Sequence, residues 1–175
     1  MLKMNAKQLR QSSGDRVQGT EKNEIYIILD NVLDTYNIGA VFRLADAVNV
    51  KKVFLCGGTE TPPNPRIKKA SINTTEIIDW EYADDAVRVI KKVREKLPDV
   101  QVLAIEQSGK SVPYNKYDYK LPLALVVGNE SYGILPETLK ECDAVIELPM
   151  FGVNISLNVM VSLAVVLYQA IGGAK

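Results

Sequence analysis

The sequence predicts an α/β fold, a parallel sheet flanked by helices on both faces. Three observations predict it. Short β-branched runs recur along the chain, and they are apolar without alternation, as strands covered on both faces are. Segments of helical periodicity alternate with them, which is the mark of parallel strands joined by crossover helices. The third is size. A chain of 175 residues, 47% hydrophobic and 24% charged, fits one globular domain with a sizeable core.

The elements follow in order. Residues 1–20 are polar and lack the apolar stretch of a signal peptide, so they read as an extension ahead of a single domain over 21–175. EIYIILD (24–30) reads as the first strand, a short β-branched run. Residues 37–48 read as a helix started by Asn37, with Val41, Leu44, Ala45 and Val48 as the stripe against the sheet. KVFLCG (52–57) is a second strand, TETPPNPRIKK (59–69) a proline loop, and TEIIDWEY (75–82) a short strand. ADDAVRVIKKVREKL (83–97) is an amphipathic helix stopped by Pro98. VQVLAIEQ (100–107) and LALVVG (123–128) are strands separated by a Tyr- and Lys-rich loop. LPETLKEC (135–142) is a short helix with Pro136 in its first turn, AVIELPM (144–150) the last strand, and 157–171 the last helix.

Composition excludes several chemistries. There is no His, which removes Ser-His-Asp and Cys-His catalysis and most zinc sites, and no metal is expected. Cys56 and Cys142 form no CxxC and fit a reducing cytoplasm. The formal net charge is zero, which argues against purely electrostatic nucleic-acid binding but leaves room for positive charge clustered on one face. Residues 155–173 carry no charge and imitate a membrane span. Ser156, Asn158, Ser162 and Gln169 interrupt them, so they read instead as a helix apolar on every side, buried between layers or subunits.

Three segments carry candidate chemistry. In the first helix, Arg43 has Gly39, Ala40, Asp46 and Ala47 as its helical neighbours. Small residues there leave room for a close approach, although a solvated Arg paired with Asp46 fits the same spacing. In LALVVGNESYGI (123–134) a buried strand runs into Gly-Asn-Glu. Ligands of open α/β sheets bind beyond such strand ends, so Gly128 would admit a ligand and Glu130 would stand at the rim; a plain turn is the alternative. In IELPMFGVNISLNVMVSLAVV (146–166), Ser156 suits a helix cap, and Asn158 would be a buried amide in need of partners.

In order and spacing these segments resemble the motifs of the SpoU-type RNA ribose 2′-O-methyltransferases of the SPOUT superfamily. N-x-G-a-x-x-R stands at NIGAVFR (37–43), G-N-E-x-x-G at GNESYG (128–133), and L/I-P-M followed by S-L-N-V at ELPM (147–150) and SLNV (156–159). The resemblance spans about 24 to 169. It implies a C-terminal trefoil knot, a homodimer with the charge-free last helix at its core, and a tRNA or rRNA partner. It also implies S-adenosylmethionine as cofactor, held by Ile105, Glu106 and Gln107, by Gly128, and by Ile146, Leu148, Met150, Ser156 and Leu157. Arg43 would be the catalytic group, held by Asn37, with Glu130, Ser156 and Asn158 completing the site.

A guanidinium does not readily lose its proton, so Arg43 would act either as a base organised by an RNA phosphate or as a charged group that orients the hydroxyl. Arg43, Arg66, Lys68 and Lys69 are the RNA-binding candidates, the last three in the proline loop. Lys91, Lys92, Arg94 and Lys96 read as a solvated helix face. ASINTTEIIDW (70–80) departs from the Gly-containing stretch that family members often carry. The short flanks read as a minimal catalytic domain. Two rivals stand beside this reading. A nicotinamide oxidoreductase would need G-x-G-x-x-G after the first strand, which LDNVLDTYNIGAVFR lacks. A non-catalytic relative would bind cofactor or RNA without turnover.

Overall fold

In the computed structural model, which describes residues 21–173, the strands are β1 (Asn23–Asp30), β2 (Val50–Cys56), β3 (Trp80–Ala83), β4 (Gln101–Ile105), β5 (Val112–Pro113), β6 (Leu123–Gly128) and β7 (Ala144–Glu147). The extension expected over residues 1–20 lies outside the described residues. The strands form one sheet in the order β3-β2-β1-β6-β4-β7-β5, and every pair of neighbours in it is parallel. The expected strand at 75–82 is shorter, because Thr74–Glu76 close a 3-10 turn and only Trp80–Ala83 reach the edge. The loop after β4 holds the two-residue edge strand β5, which the sequence did not announce.

Helices α1 (Thr35–Ala47), α2 (Pro65–Ser71) and α5 (Val159–Gly173) lie on one face of the sheet. Ile25, Ile27, Leu29, Leu55 and Leu125 point into this layer and meet Phe42 of α1, Ile67 of α2 and Leu167 of α5. Helices α3 (Ala86–Lys96) and α4 (Pro136–Lys140) lie on the other face, where Val89, Ile90 and Val93 of α3 pack on Ile28, Phe54, Val102 and Val126. The period-2 alternation of each strand thus feeds two cores, which is why the strands read as unbroken apolar runs.

Several boundaries differ from the sequence reading. Helix α1 begins before Asn37: Asp34 is its cap, accepting the Tyr36 N–H at 2.7 Å. Arg66, Lys68 and Lys69 stand on helix α2 rather than in a loop, because Asn64 caps it and Pro65 fits its first turn. Helix α5 is capped by Asn158, whose Oδ1 accepts the Met160 N–H at 3.0 Å, and not by Ser156. Within the chain α5 buries only Leu163, Val166, Leu167 and Ala170, while Val161 and Tyr168 face outward. No helix among the described residues is long and apolar enough to cross a membrane.

Helices α1 and α2 cross closely at Gly39. A Cβ there would lie 2.6 Å from Ala70 Cβ and 2.7 Å from the Ile67 carbonyl oxygen. The space expected at Gly39, beside Arg43, is therefore filled by α2.

Candidate active site

The sheet register sets the site. Asp30, the last residue of β1, is level with Gly128, the last of β6, so the loops that follow both strands leave side by side. Asp30 is buried, and its carboxylate accepts the Leu135 N–H at 3.1 Å and the Asn31 amide at 2.8 Å. Asn129 donates to the Asn31 carbonyl at 2.9 Å and accepts the N–H of Ser131 and Tyr132. Asn129 and Gly133 exchange backbone hydrogen bonds at 3.0 and 2.9 Å, which closes the GNESYG turn. A Cβ on Gly128 would stand 2.3 Å from the backbone of Gly133 and Ile134, so the missing side chain makes room for the returning turn.

Glu130 clasps the turn to α1. Its carboxylate accepts the N–H of Leu33 and of Asp34, each at 3.1 Å, and the Asn37 amide at 3.0 Å. Burial alone would raise the Glu130 carboxyl, but the Asn37 amide and the backbone N–H groups of Leu33, Glu130 itself and Asp34 outweigh it and hold the group below its ordinary value. The Asn37 oxygen in turn accepts Asn158 Nδ2 at 2.9 Å. One residue from each sequence motif thus joins a single relay, Glu130–Asn37–Asn158. Asn158 is exposed within the chain rather than buried, but its amide is fully engaged.

Arg43 is not brought into this relay. It lies six residues beyond Asn37, hence about 9 Å further along the helix and about 120° around it. It is exposed, and among the described residues it makes no hydrogen bond or ion pair, with Asp46 or any other group. Asn37 does not hold it.

A cleft of about 530 Å³ opens at the carboxyl ends of β4, β6 and β7. Ile105, Glu106, Gln107, Gly128, Ile146, Leu148, Met150, Ser156 and Leu157 all line it, as do Glu130 and Asn158. Ile105, Ile146, Leu148, Met150 and Leu157 give it apolar walls suited to a flat ring, between backbone groups that can fix the ring's polar edge. Glu106 contributes shape more than a free acceptor: its oxygens accept the Gln107 N–H at 2.9 Å and the Ile134 N–H at 3.2 Å. Asn129, Glu147, Ile155 and Ser162 also line the cleft and were missed by sequence reasoning. Asn129 and Glu147 stand within the quoted motif segments, and Ile155 and Ser162 within seven residues of SLNV's Ser156, so proximity to the motifs was their signal. Among the described residues no Lys or Arg lines the cleft.

The chain matches the model of the SpoU rRNA Methylase family over residues 24–168. It belongs to that family. Among SpoU relatives it is 33% identical over 153 residues to a tRNA (guanosine(18)-2′-O)-methyltransferase of Aquifex aeolicus, covering 85% of this chain and 69% of that protein. It is 29% identical over 168 residues to a 23S rRNA (guanosine-2′-O-)-methyltransferase of Vibrio parahaemolyticus, covering 95% of this chain and 66% of that one. The structure of an AdoMet-bound rRNA methyltransferase from Sinorhizobium meliloti matches with a TM-score of 0.77 at 31% identity, over 86% of this chain and 56% of that chain. The chain thus spans between about half and two thirds of the length of these SpoU proteins.

Proposed function

We propose that the chain is an S-adenosylmethionine-dependent RNA ribose 2′-O-methyltransferase. The observation that carries this reading is the cleft at the strand ends, walled by apolar side chains and edged by turn backbone, into which every expected cofactor residue falls. Its apolar walls would take the adenine ring. Glu130, Glu147 and the cleft's lack of Lys and Arg favour a cation, which the sulfonium is. In the reaction the ribose 2′-oxygen attacks the sulfonium methyl carbon. The C–O bond forms as the C–S bond breaks, S-adenosylhomocysteine leaves, and the hydroxyl proton passes to solvent or a nearby acceptor.

Arg43 is the catalytic group in this reading, and it would act across a pair of chains. Being exposed and unpaired among the described residues, it is available to the cleft of a second copy, where it would orient the hydroxyl and a phosphate and stabilise developing negative charge. The exposed apolar residues of the 151–157 segment and of α5, Phe151, Val153, Ile155, Val161 and Tyr168, support a homodimer built on that side. Asn37, Glu130 and Asn158 would position the cleft, with Ser156 on its wall, and Arg66, Lys68 and Lys69 on α2 would hold RNA. The single domain over 21–175, the knotted C-terminal segment and a cytoplasmic setting complete the reading; the free thiols of Cys56 and Cys142 suit the last. The Aquifex relative makes tRNA the first substrate to test and the Vibrio relative makes rRNA the second.

The test is transfer of a tritiated methyl group from labelled cofactor into bulk tRNA and rRNA, with nucleoside mass spectrometry to locate it. Arg43→Ala should keep S-adenosylmethionine binding by calorimetry and lose transfer by about 10³-fold. Near-normal turnover by that variant would remove Arg43 from the role. The absence of any cation in the cleft of one chain favours a second reading, a binding relative without turnover; cofactor binding without transfer to either RNA would select it.

A further inference from the structure

A second cleft, of about 540 Å³, lies at the opposite end of the sheet, between the amino ends of β1, β2 and β3 and the last turns of α3. Six residues separate Glu24, at its wall, from Asp30 at the active-site end of β1, a distance of about 20 Å at strand rise. Its apolar lining includes Tyr26, Phe54 and Leu97, with Tyr26 stacked at 6.5 Å on Phe54; Trp80 also borders it, but its ring packs edge-on at 6.5 Å against Phe42 in the core on the other face of the sheet. Lys51, Lys52, Lys92 and Lys96 surround this lining, against Glu24, Asp79 and Glu81.

The pairing within the cleft is informative. Lys51 meets Glu24 at 2.7 Å, and Lys52 and Lys92 both meet Glu81. Lys96 has no ion pair among the described residues. The neighbouring cations of α3 are used differently: Arg94 ties the helix to Asp143 and to the Glu141 carbonyl, and Lys91 faces Glu141. The basic face of α3 therefore divides into a structural half and a half that edges a cavity. Lys92, the partner of Glu81 nearest the surface, is exposed, and surface ion pairs contribute little, so a phosphate can replace the carboxylate as its partner at small cost.

A nucleotide presents the complementary set of groups. Its base has a flat apolar face for an aromatic ring, its amino edge donates to carboxylates such as Glu24 and Glu81, and its phosphate suits a lysine rim. We propose that this cleft binds a nucleotide of the RNA substrate, with the base against Tyr26 and the phosphate on Lys92 and Lys96. This rests on the RNA-methyltransferase reading, to which it adds a binding site remote from the reaction.

The cofactor cleft lies at the other end of the sheet, so binding of RNA here can be read apart from binding of the cofactor. Bulk tRNA should bind the protein in a gel-shift titration, and 5′-CMP should compete with it weakly. Lys96→Glu, which breaks no ion pair among the described residues, and the double variant K92E/K96E should weaken tRNA binding, the double by about tenfold or more. The slope of log affinity against log salt should become shallower by roughly 0.7–0.9 for each phosphate that a variant no longer neutralises. Calorimetry should give the same S-adenosylmethionine affinity for wild type and both variants. Unchanged tRNA affinity and slope in both variants would overturn the proposal, as would calorimetric binding of 5′-CMP that tRNA cannot displace, since the site would then serve a free nucleotide. Loss of cofactor binding in the wild type would instead refute the methyltransferase reading.

Discussion

At the scale of residues, the centre of the site is a carboxylate whose hydrogen bonds tie three segments together. Glu130 accepts hydrogen bonds from Leu33, Asp34 and Asn37, and through Asn37 it reaches the cap of α5. Glu130→Gln replaces one acceptor oxygen by an NH₂ that faces N–H donors. We expect it to destabilise the fold by about 1–2 kcal/mol, a fall of roughly 3–6 °C in Tm, and to weaken cofactor binding, read by calorimetry. The pH dependence has a definite sign. The Glu130 carboxyl is lowered in the folded chain, so its contribution is complete above the ordinary value of 4.5 and is lost as pH falls through the lowered one. The difference in Tm between wild type and Glu130→Gln should therefore be constant from neutrality to about pH 5 and shrink below that. A difference independent of pH would show that the variant acts through packing alone.

The residue scale also shows where the sequence could be read and where it could not. Every position that the family resemblance assigned to the cofactor lies in the cleft, whereas reading the strand ends alone, as points where apolar runs give way to Gly, Pro and polar residues, reached only Gly128 and Glu130. The caps were not legible. Asp34 and Asn37 are both good capping residues, as are Ser156 and Asn158, and local chemistry does not choose within either pair. The choice is made at long range: Glu130 and Asn158, remote in sequence, engage both ends of the Asn37 amide and leave Asp34 to cap α1.

Among the elements, the packing most sensitive to a single atom is the crossing of α1 on α2. Gly39→Ala would place a methyl group 2.6 Å from Ala70 Cβ and 2.7 Å from a carbonyl oxygen, so the helices must separate. The expected loss is about 1–3 kcal/mol, measured as a lower urea midpoint with an unchanged slope. Since α1 bears Arg43 and α2 bears Arg66, Lys68 and Lys69, methyl transfer should fall more than cofactor affinity. Helix α2 itself escaped the sequence reading because Pro62, Pro63 and Pro65 punctuate it as a loop, whereas Pro65 in fact occupies the one helical turn that tolerates proline. The central strands β1 and β6, in contrast, were read to within a residue, since burial on both faces leaves a signal that no neighbouring element alters, whereas the edge strands β3 and β5 were misplaced or missed.

At the scale of the molecule, an apolar side of the chain faces outward. Phe151 is 97%, Val153 99% and Ile155 81% exposed beside the outward face of α5. A homodimer on this side predicts that Val161→Asp with Tyr168→Asp yields monomers in sedimentation velocity, and that methyl transfer disappears while the fold persists by circular dichroism. Mixing Arg43→Ala chains with chains defective in the cleft should then restore partial transfer if each site draws on two copies. The net charge of zero was never informative about RNA, because it sums over faces that differ: ion pairs bind much of the charge of α3 to the body, while α2 keeps Arg66 and Lys69 free among the described residues.

The sheet order has a further consequence, for how the chain is made. Strand β1 lies between β2 and β6, and Leu123, which opens β6, is synthesised 100 residues after Asn23 (123 − 23). At ordinary translation speeds that is a wait of about 5–20 s. Throughout it, one flank of a largely apolar strand has no neighbour to bond, and such edges recruit other chains. Nascent β1-β2-β3 is therefore the aggregation-prone intermediate of this protein, and ribosomes stalled before Leu123 should hold chains that bind a holdase chaperone, while those stalled after α5 has emerged should not.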